Sequence, residues 1–161
     1  MQKVRKIQRI LAPLDGSSIA ECILNYVRTI ARGEDTEVHL LHVVQIPVVA
    51  FSDESAVTEY VESAMEADES WAKGYLELKS RELQAAGIKT RKIIIRGKAA
   101  ETINDYATKN EIDLIIISSH GRSGFSKWAL GSVTEKVAHT STVPVLIIPP
   151  EYCKGALKER A

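Results

Sequence analysis

The residues best suited to chemistry form one glycine-bearing stretch that runs from Ser118 to Ser132. It follows an apolar run and precedes a helical pattern, and it is about twice the length of the ~2–6 residues that usually join a strand to a helix in α/β proteins. Gly121, Gly124 and Gly131 let backbone N–H groups approach a ligand closely, because glycine has no Cβ. The stretch therefore predicts an anion-binding turn.

Two further features of this turn favour a phosphate as the anion. Gly131 and Ser132 open a helix, where free N–H groups and the helix dipole attract negative charge. Arg122 and Lys127 lie inside the turn and offer charge-assisted hydrogen bonds. A purely structural interpretation also fits, in which the glycines only make turns and Ser132 only caps its own helix. The spacing alone leaves both interpretations open.

Continuous apolar runs, which are typical of buried strands, alternate along the chain with segments whose apolar residues recur at steps of three and four, which are typical of helices. Strands and helices are therefore expected to alternate. The predicted strands are Arg9–Leu14, Glu37–Val44, Thr90–Ile95, Asp113–Ser118 and Val143–Ile148. The predicted helices run from Ser18 to about Arg32, from about Val57 to Ala86, from Ala100 to Asn110 and from Ser132 to Thr140. Capping boxes are expected at Ser18 with Glu21 and at Ser132 with Glu135.

This order predicts an α/β fold with an open, doubly wound, five-stranded parallel sheet, because parallel strands need crossover connections. The commonest arrangement gives the strand order 3-2-1-4-5, with strands one and four at the switch point where ligands bind. The end of strand one supplies Pro13, Leu14 and Asp15, and the end of strand four supplies the long connection from Ser119 to Gly131. His39 and His42 face opposite sides of strand two, so they cannot share a metal ion.

The composition limits the classes of function. A chain of 161 residues with 45% apolar side chains fits one domain, expected at residues 1–150 with a C-terminal tail at 151–161. The 21 basic and 21 acidic side chains cancel, which argues against nucleic-acid binding. No apolar run reaches the ~20 residues of a membrane span. The two cysteines, Cys22 and Cys153, suggest no disulfide framework, so a reduced cytoplasmic protein is expected.

The combined motifs resemble the universal stress protein family. The nucleotide motif of that family reads Gly, two residues, Gly, nine residues, Gly, then Ser or Thr. Here Ser118 and Gly121 are followed by nine residues and then by Gly131 and Ser132. Residues 12–15, 41–44, 133–137 and 143–148 continue the match, which covers roughly residues 4–150. Ser118 departs from the motif, since it stands where the first glycine is expected.

The resemblance implies a flavodoxin-like sheet and a site for ATP, with Mg²⁺ accompanying the phosphates. Pro13 and Asp15 match positions that line the adenosine pocket, and Val43 matches a position whose backbone meets the adenine edge. The phosphate cradle corresponds to Gly121, Gly131, Ser132 and Val133, with Arg122 beside it and Ser118 at its entrance. The hydroxyl of Ser118 either crowds the ribose and phosphates or donates to a phosphate.

Three functions compete at this point. The favoured one is an ATP-binding regulatory protein of the stress response, acting through a regulatory protein that the sequence does not identify. The second is a dimeric interaction scaffold without nucleotide binding, which only Ser118 favours. An enzyme is the weakest hypothesis, with at most slow ATP hydrolysis, because no nucleophile–base pair is evident and His120 is better explained as support for the turn. The resemblance also implies a homodimer through the edge strand Val143–Ile148.

Overall fold

The computed structural model of the chain describes residues 6–31, 35–48, 54–120, 130–149 and 151–152, and strands and helices alternate along them. The strands are β1 (Arg9–Pro13), β2 (Glu37–Val44), β3 (Lys89–Arg96), β4 (Leu114–Ser118) and β5 (Val145–Ile148). The helices are α1 (Ser18–Glu21), α2 (Ile23–Ile30), α3 (Glu54–Gln84), α4 (Ala99–Lys109) and α5 (Ser132–Thr140).

The five strands form one parallel sheet in the order β3-β2-β1-β4-β5, as predicted. Strand β1 is central and pairs with β2 on one side, where Pro13 lies opposite Leu41. On its other side it pairs with β4, where Ile10 lies opposite Leu114. Strands β2 and β3 thus lie on one side of β1, and β4 and β5 lie on the other. The strand order reverses between β1 and β4, so the switch point lies at the carboxyl ends of these two strands.

Both faces of the sheet are buried. Successive residues of a strand point to opposite faces, so each strand contributes side chains to both buried layers. Ile10 belongs to an apolar cluster with Leu76 and Leu83 of α3, whereas its neighbour Leu11 belongs to a second cluster with Ile103 of α4. Burial of each such side chain stabilises the fold by about 1.5–3 kcal/mol. Among the described residues, no helix combines the length and the apolar character that a membrane span requires.

The helix beginnings differ from the predicted capping boxes. Ser17, not Ser18, caps α1, since its Oγ accepts a hydrogen bond from the Ala20 N–H at 3.1 Å. Helix α5 begins after Gly131 without any side-chain cap bond, so the predicted box at Ser132 and Glu135 is wrong. The predicted first helix is also divided at Cys22 into α1 and α2.

Several boundaries shift for local reasons. Strand β5 starts at Val145 rather than Val143, because the Val143 N–H donates to Ser141 Oγ at 3.1 Å in a tight turn. Helix α3 begins earlier than predicted, at Glu54 rather than about Val57, and ends earlier, at Gln84 rather than Ala86; it runs unbroken past Gly74. Gly87 follows it with a φ of +79°, the left-handed conformation that glycine adopts without strain.

The state of Cys22 also differs from the expectation. Cys22 is buried in the apolar cluster to which α1 and α2 contribute. It is nevertheless disulfide-bonded, so the expectation that the cysteines stay reduced is wrong for this structure. The other cysteine of the chain, Cys153, lies outside the described residues.

Candidate functional site

A cavity of about 300 Å³ lies at the carboxyl ends of β1, β2 and β4. This volume is at the lower end of the ~300–1,000 Å³ range of small-molecule sites. Its apolar wall comes from strands and from the start of α4, and its polar rim comes from the strand ends and the start of α5. The apolar side chains of the wall include Leu41, Val43, Ile103 and Ile117, and the polar residues of the rim include Asp15, Ser118, His120, Ser132 and Thr134.

The exit from β1 is held by a short hydrogen-bonded turn. Asp15 Oδ1 accepts from the Ser17 N–H at 2.9 Å and from Ser17 Oγ at 2.6 Å. The Leu14 N–H donates to the carbonyl of Leu41 at 2.8 Å, which continues the β1–β2 ladder to the cavity. Asp15 thus holds Ser17, the residue that caps α1, and it also lines the cavity.

The exit from β4 is connected to the first turn of α5 by buried hydroxyl groups. Ser118 Oγ donates to the His120 carbonyl at 2.6 Å. Thr134 Oγ1 donates to the Ser118 carbonyl at 2.7 Å. Ser119 Oγ lies 3.0 Å from His120 Nδ1, and the Ser119 carbonyl accepts from the Gly131 N–H at 2.7 Å. These contacts fix the start of α5 against the end of β4.

The first turn of α5 supplies the donors best suited to an anion. The Glu135 N–H makes the first helical hydrogen bond, to the Gly131 carbonyl at 2.8 Å, so the N–H groups of Ser132, Val133 and Thr134 precede the helical ladder. These three residues all line the cavity. The Gly131 N–H is engaged by Ser119, and the φ of Gly131 is −62°. The backbone conformation at this position therefore does not require glycine.

Most of the predicted site residues lie around this cavity. Gly121 and Arg122, like Lys127, fall outside the described residues. The predicted residues that line the cavity are Pro13, Asp15, Val43, Ser118, Gly131, Ser132 and Val133. Sequence reasoning missed Thr134, whose buried hydroxyl fastens α5 to β4. A threonine in the first turn of a helix was the available signal, but it does not distinguish a buried hydroxyl from an exposed one.

The two histidines of β2 point to opposite faces of the sheet, as predicted. His42 lies beneath α3, with Nε2 3.3 Å from Asp68 Oδ2 and Nδ1 2.9 Å from the Leu14 carbonyl. His39 faces α4, with Nδ1 2.9 Å from the hydroxyl oxygen of Tyr106. Across the described ranges, no three His, Cys, Asp or Glu side chains are arranged to hold a metal ion.

We expect His39 to make the stability of the fold sensitive to mild acid. Burial lowers its pKa, although a 2.8 Å contact between Nε2 and Glu37 Oε2 opposes that shift. A neutral ring satisfies both contacts, since Nε2–H donates to Glu37 and Nδ1 accepts from the Tyr106 hydroxyl. The unfolded chain therefore binds the proton first as pH falls below about 6.5, and the free energy of unfolding decreases.

We predict that His39→Gln loses less stability than the wild type between pH 7.5 and pH 5.5. The reason is that glutamine does not titrate, so the folded and unfolded chains no longer differ in protons bound at this position. Urea unfolding at the two pH values measures the difference. The exposed His139 provides the control, and His139→Gln should keep the wild-type pH dependence. Equal losses in the wild type and His39→Gln would contradict the prediction.

The order of the sheet and the cavity at its switch point define a flavodoxin-like α/β protein with a candidate small-molecule site. The sequence profile described as Universal stress protein family matches residues 6–149, and the chain therefore belongs to this family. It is 32% identical to Universal stress protein MJ0577 of Methanocaldococcus jannaschii over 152 residues, which cover 88% of this chain and 94% of that protein. It is 30% identical to Universal stress protein YxiE of Bacillus subtilis, with 87% and 97% covered.

Solved structures agree with this assignment. The structure of MJ0577 superposes with a TM-score of 0.79 at 33% identity, covering 90% of this chain and 97% of that one. More distant members share the fold. A universal stress protein family protein from Arabidopsis thaliana has AMP bound and superposes with a TM-score of 0.61 at 16% identity, covering 88% and 91%. A universal stress protein in complex with cAMP superposes with a TM-score of 0.57 at 18% identity, covering 90% and 98%.

Proposed function

We propose that this protein binds ATP with Mg²⁺ in the cavity and acts as a nucleotide-responsive regulatory protein of the stress response in the cytoplasm. The observation that carries the proposal is the placement of the first turn of α5. Its N–H groups at Ser132 and Val133 border the same cavity as the carboxyl ends of β1 and β2. One ligand with an anionic end and a flat apolar end would use both parts of this surface.

The chemistry of the cavity fits a nucleotide in three respects. Backbone N–H groups at a helix start suit phosphate oxygens. The apolar wall formed by Leu41, Val43 and Ile117 suits a flat base. Asp15, at the rim, offers a carboxylate that accepts hydrogen bonds from hydroxyl groups such as those of a ribose. The nucleotides in two structural neighbours, AMP and cAMP, support a ligand of this class.

In this proposal, Mg²⁺ neutralises part of the phosphate charge when the nucleotide is bound. The chain's own residues hold the other parts. Ser132 and Val133 direct N–H groups to the phosphates, and Pro13 and Val43 border the adenosine. Gly121 and Arg122 complete the proposed cradle from the part of the chain outside the described residues.

Ser118 is the one feature that favours the alternative function, a dimeric scaffold without nucleotide. It stands where the family motif has glycine, and its side chain is buried. Its hydroxyl, however, donates to the His120 carbonyl at 2.6 Å. The hydroxyl proton is thus engaged within the chain's own turn. This orientation supports nucleotide binding.

Calorimetric titration of the purified protein with ATP and Mg²⁺ tests the proposal. We expect a saturable heat signal and a rise in melting temperature, because a ligand that binds only the folded state stabilises it. Parallel titrations with AMP and cAMP identify the preferred nucleotide, and mass spectrometry of the purified protein detects any nucleotide that co-purifies. Absence of heat and of a thermal shift at millimolar ATP would reject this proposal in favour of the scaffold.

Two further parts of the organisation remain proposals. We infer that residues 1–150 fold as a single domain with a tail at 151–161. Strand β5 stands at one edge of the sheet and pairs with β4, so its outer edge offers N–H and C=O groups to another strand. A homodimer through residues 143–148 would satisfy them, and light scattering coupled to size exclusion measures the molar mass that this requires.

A further inference from the structure

The buried ring of His42 lies between two groups that accept hydrogen bonds. Its Nδ1 is 2.9 Å from the carbonyl oxygen of Leu14, and its Nε2 is 3.3 Å from each carboxylate oxygen of Asp68. A carbonyl has no proton to donate, and neither has an ionised carboxylate. The pair of His42 and Asp68 therefore satisfies all these contacts only when it holds one proton more than a neutral ring beside a carboxylate.

His39, three residues earlier on the same strand, provides an internal comparison. Its Nδ1 faces the hydroxyl of Tyr106, which can donate as well as accept, so a neutral ring satisfies both Tyr106 and Glu37. The two histidines are each 2% exposed. The chemistry of the partners, and not the degree of burial, therefore distinguishes His42 from His39.

His42 connects helix α3 to the wall of the candidate site. Both His42 and Leu14 line the cavity, and Leu14 directly precedes Asp15 in the chain. Trp71, about one helical turn after Asp68, packs edge-on against the His42 ring, with ring centroids 5.5 Å apart and planes at 66°. Two side chains of α3 thus hold the ring, and the ring holds the exit of β1.

The charge of this pair also matters to an anionic ligand. Among the described residues that line the cavity there is no Lys or Arg, whereas Asp15 contributes a carboxylate. Beside a neutral His42, the carboxylate of Asp68 would add a second negative charge behind the same wall. The additional proton cancels that charge and so removes a source of repulsion toward a phosphate.

We propose that Asp68 is a positioning residue for the nucleotide: it stabilises a doubly protonated His42, and this ring holds the Leu14 carbonyl and the Asp15 that follows it. The proton is assigned to the ring because an ordinary carboxylic acid releases its proton more readily than an ordinary imidazolium. Asp68 is not among the residues that line the cavity, so it acts through His42. The inference rests on the proposed function for its ligand, whereas the additional proton belongs to the protein without ligand.

Nitrogen-15 NMR of the imidazole rings tests the additional proton in the protein without nucleotide. At pH 7 we expect two protonated ring nitrogens in His42 and one in His39. Asp68→Asn should leave His42 with a proton on Nδ1 alone, because the new amide can donate to Nε2. A neutral His42 ring in the wild type, or a ring that is unchanged in Asp68→Asn, would overturn the proposal.

Calorimetric titration with ATP and Mg²⁺ tests the positioning role. Asp68→Ala should raise the dissociation constant about two- to tenfold, the effect of one lost hydrogen bond. Asp68→Glu restores a carboxylate and should bind more tightly than Asp68→Ala. Asp68→Asn should stay within about twofold of the wild type, because it keeps a polar partner for the ring and adds no negative charge. The side chain of Asp68 is 29% exposed, so these variants should fold, and their melting temperatures check this.

Glu66→Gln is the matched control. It removes a carboxylate from an exposed position two residues away, on the opposite side of α3, and should bind ATP as the wild type does. Wild-type affinity in Asp68→Ala would overturn the positioning role. A wild type that binds no nucleotide would reject the proposed function instead. The ring signals, and a shift of the Asp15 amide signal in Asp68→Ala, would then still decide whether the pair holds the exit of β1.

Discussion

Gly131→Val should abolish ATP binding, with the dissociation constant raised at least about a hundredfold. Gly131 lines the cavity immediately before the N–H groups of Ser132 and Val133. We expect a branched side chain at this position to enter the cavity and to keep a phosphate away from those donors. Loss of two charge-assisted hydrogen bonds, each contributing about 1.5–3 kcal/mol, accounts for the expected change. Calorimetric titration of wild type and variant with ATP and Mg²⁺ measures it.

Two other variants make this result interpretable. Gly131→Ala adds a single methyl group and should weaken binding less than Gly131→Val. Gly74→Val places the same side chain on α3, where the added Cβ meets nothing within 4 Å, and should bind ATP as the wild type does. Valine is a poor helix cap, so Gly131→Val should also lose about 1 kcal/mol of stability while remaining folded. Wild-type affinity in Gly131→Val would place the nucleotide elsewhere.

The sheet could be predicted closely because its strands are apolar on both faces. Strand β2 has the predicted bounds, Glu37 to Val44, since a continuous apolar run between polar segments marks a strand covered by helices. The ends of the helices could not be predicted as well. Whether Ser17 or Ser18 caps α1 depends on Asp15, whose carboxylate binds Ser17 and selects it. The choice between the two serines therefore depends on the conformation of the Asp15 side chain, which cannot be predicted from the order of residue types.

The candidate site was predictable wherever it depends on strand ends. Pro13, Val43 and Ser118 come together because parallel strands deliver their carboxyl ends to one edge of the sheet. The contacts that depend on packing between distant elements were not predictable. His42 contacts Asp68 because α3 packs across β2. The local order of residue types does not predict that packing.

The bonded state of Cys22 was missed for a related reason. Two cysteines far apart in sequence carry no local signature of a pair, and the expectation of a reducing compartment favoured free thiols.

The hydroxyl network between β4 and α5 links the stability of the fold to the candidate site. Thr134 belongs to both, since it lines the cavity and its hydroxyl donates to the Ser118 carbonyl at 2.7 Å. Thr134 and Ser118 are each about 4% exposed, so water does not replace a lost hydrogen bond there. The position of the N–H donors of α5 therefore depends in part on this buried contact, beside the backbone bond from Gly131 to Ser119.

Thr134→Val should lower the free energy of unfolding by about 1–3 kcal/mol, the cost of leaving a buried carbonyl without its donor. Valine keeps the shape of threonine, so the loss reports the hydrogen bond rather than a cavity. The variant should also bind ATP more weakly, because one of the contacts that hold the first turn of α5 against the end of β4 is lost. Urea unfolding followed by calorimetric titration measures both effects on one preparation.

Thr29→Val is the matched control for this prediction. Thr29 is exposed on α2, and its hydroxyl donates to the Asn25 carbonyl at 3.1 Å. Water replaces that donor when the hydroxyl is removed, so the free energy of unfolding should change by less than about 0.5 kcal/mol. ATP affinity should stay at the wild-type value, since Thr29 is not among the residues that line the cavity. If Thr134→Val and Thr29→Val lose equal stability, the contact between Thr134 and Ser118 does not fasten α5, and the coupling between fold and site must come from the backbone bond between Gly131 and Ser119.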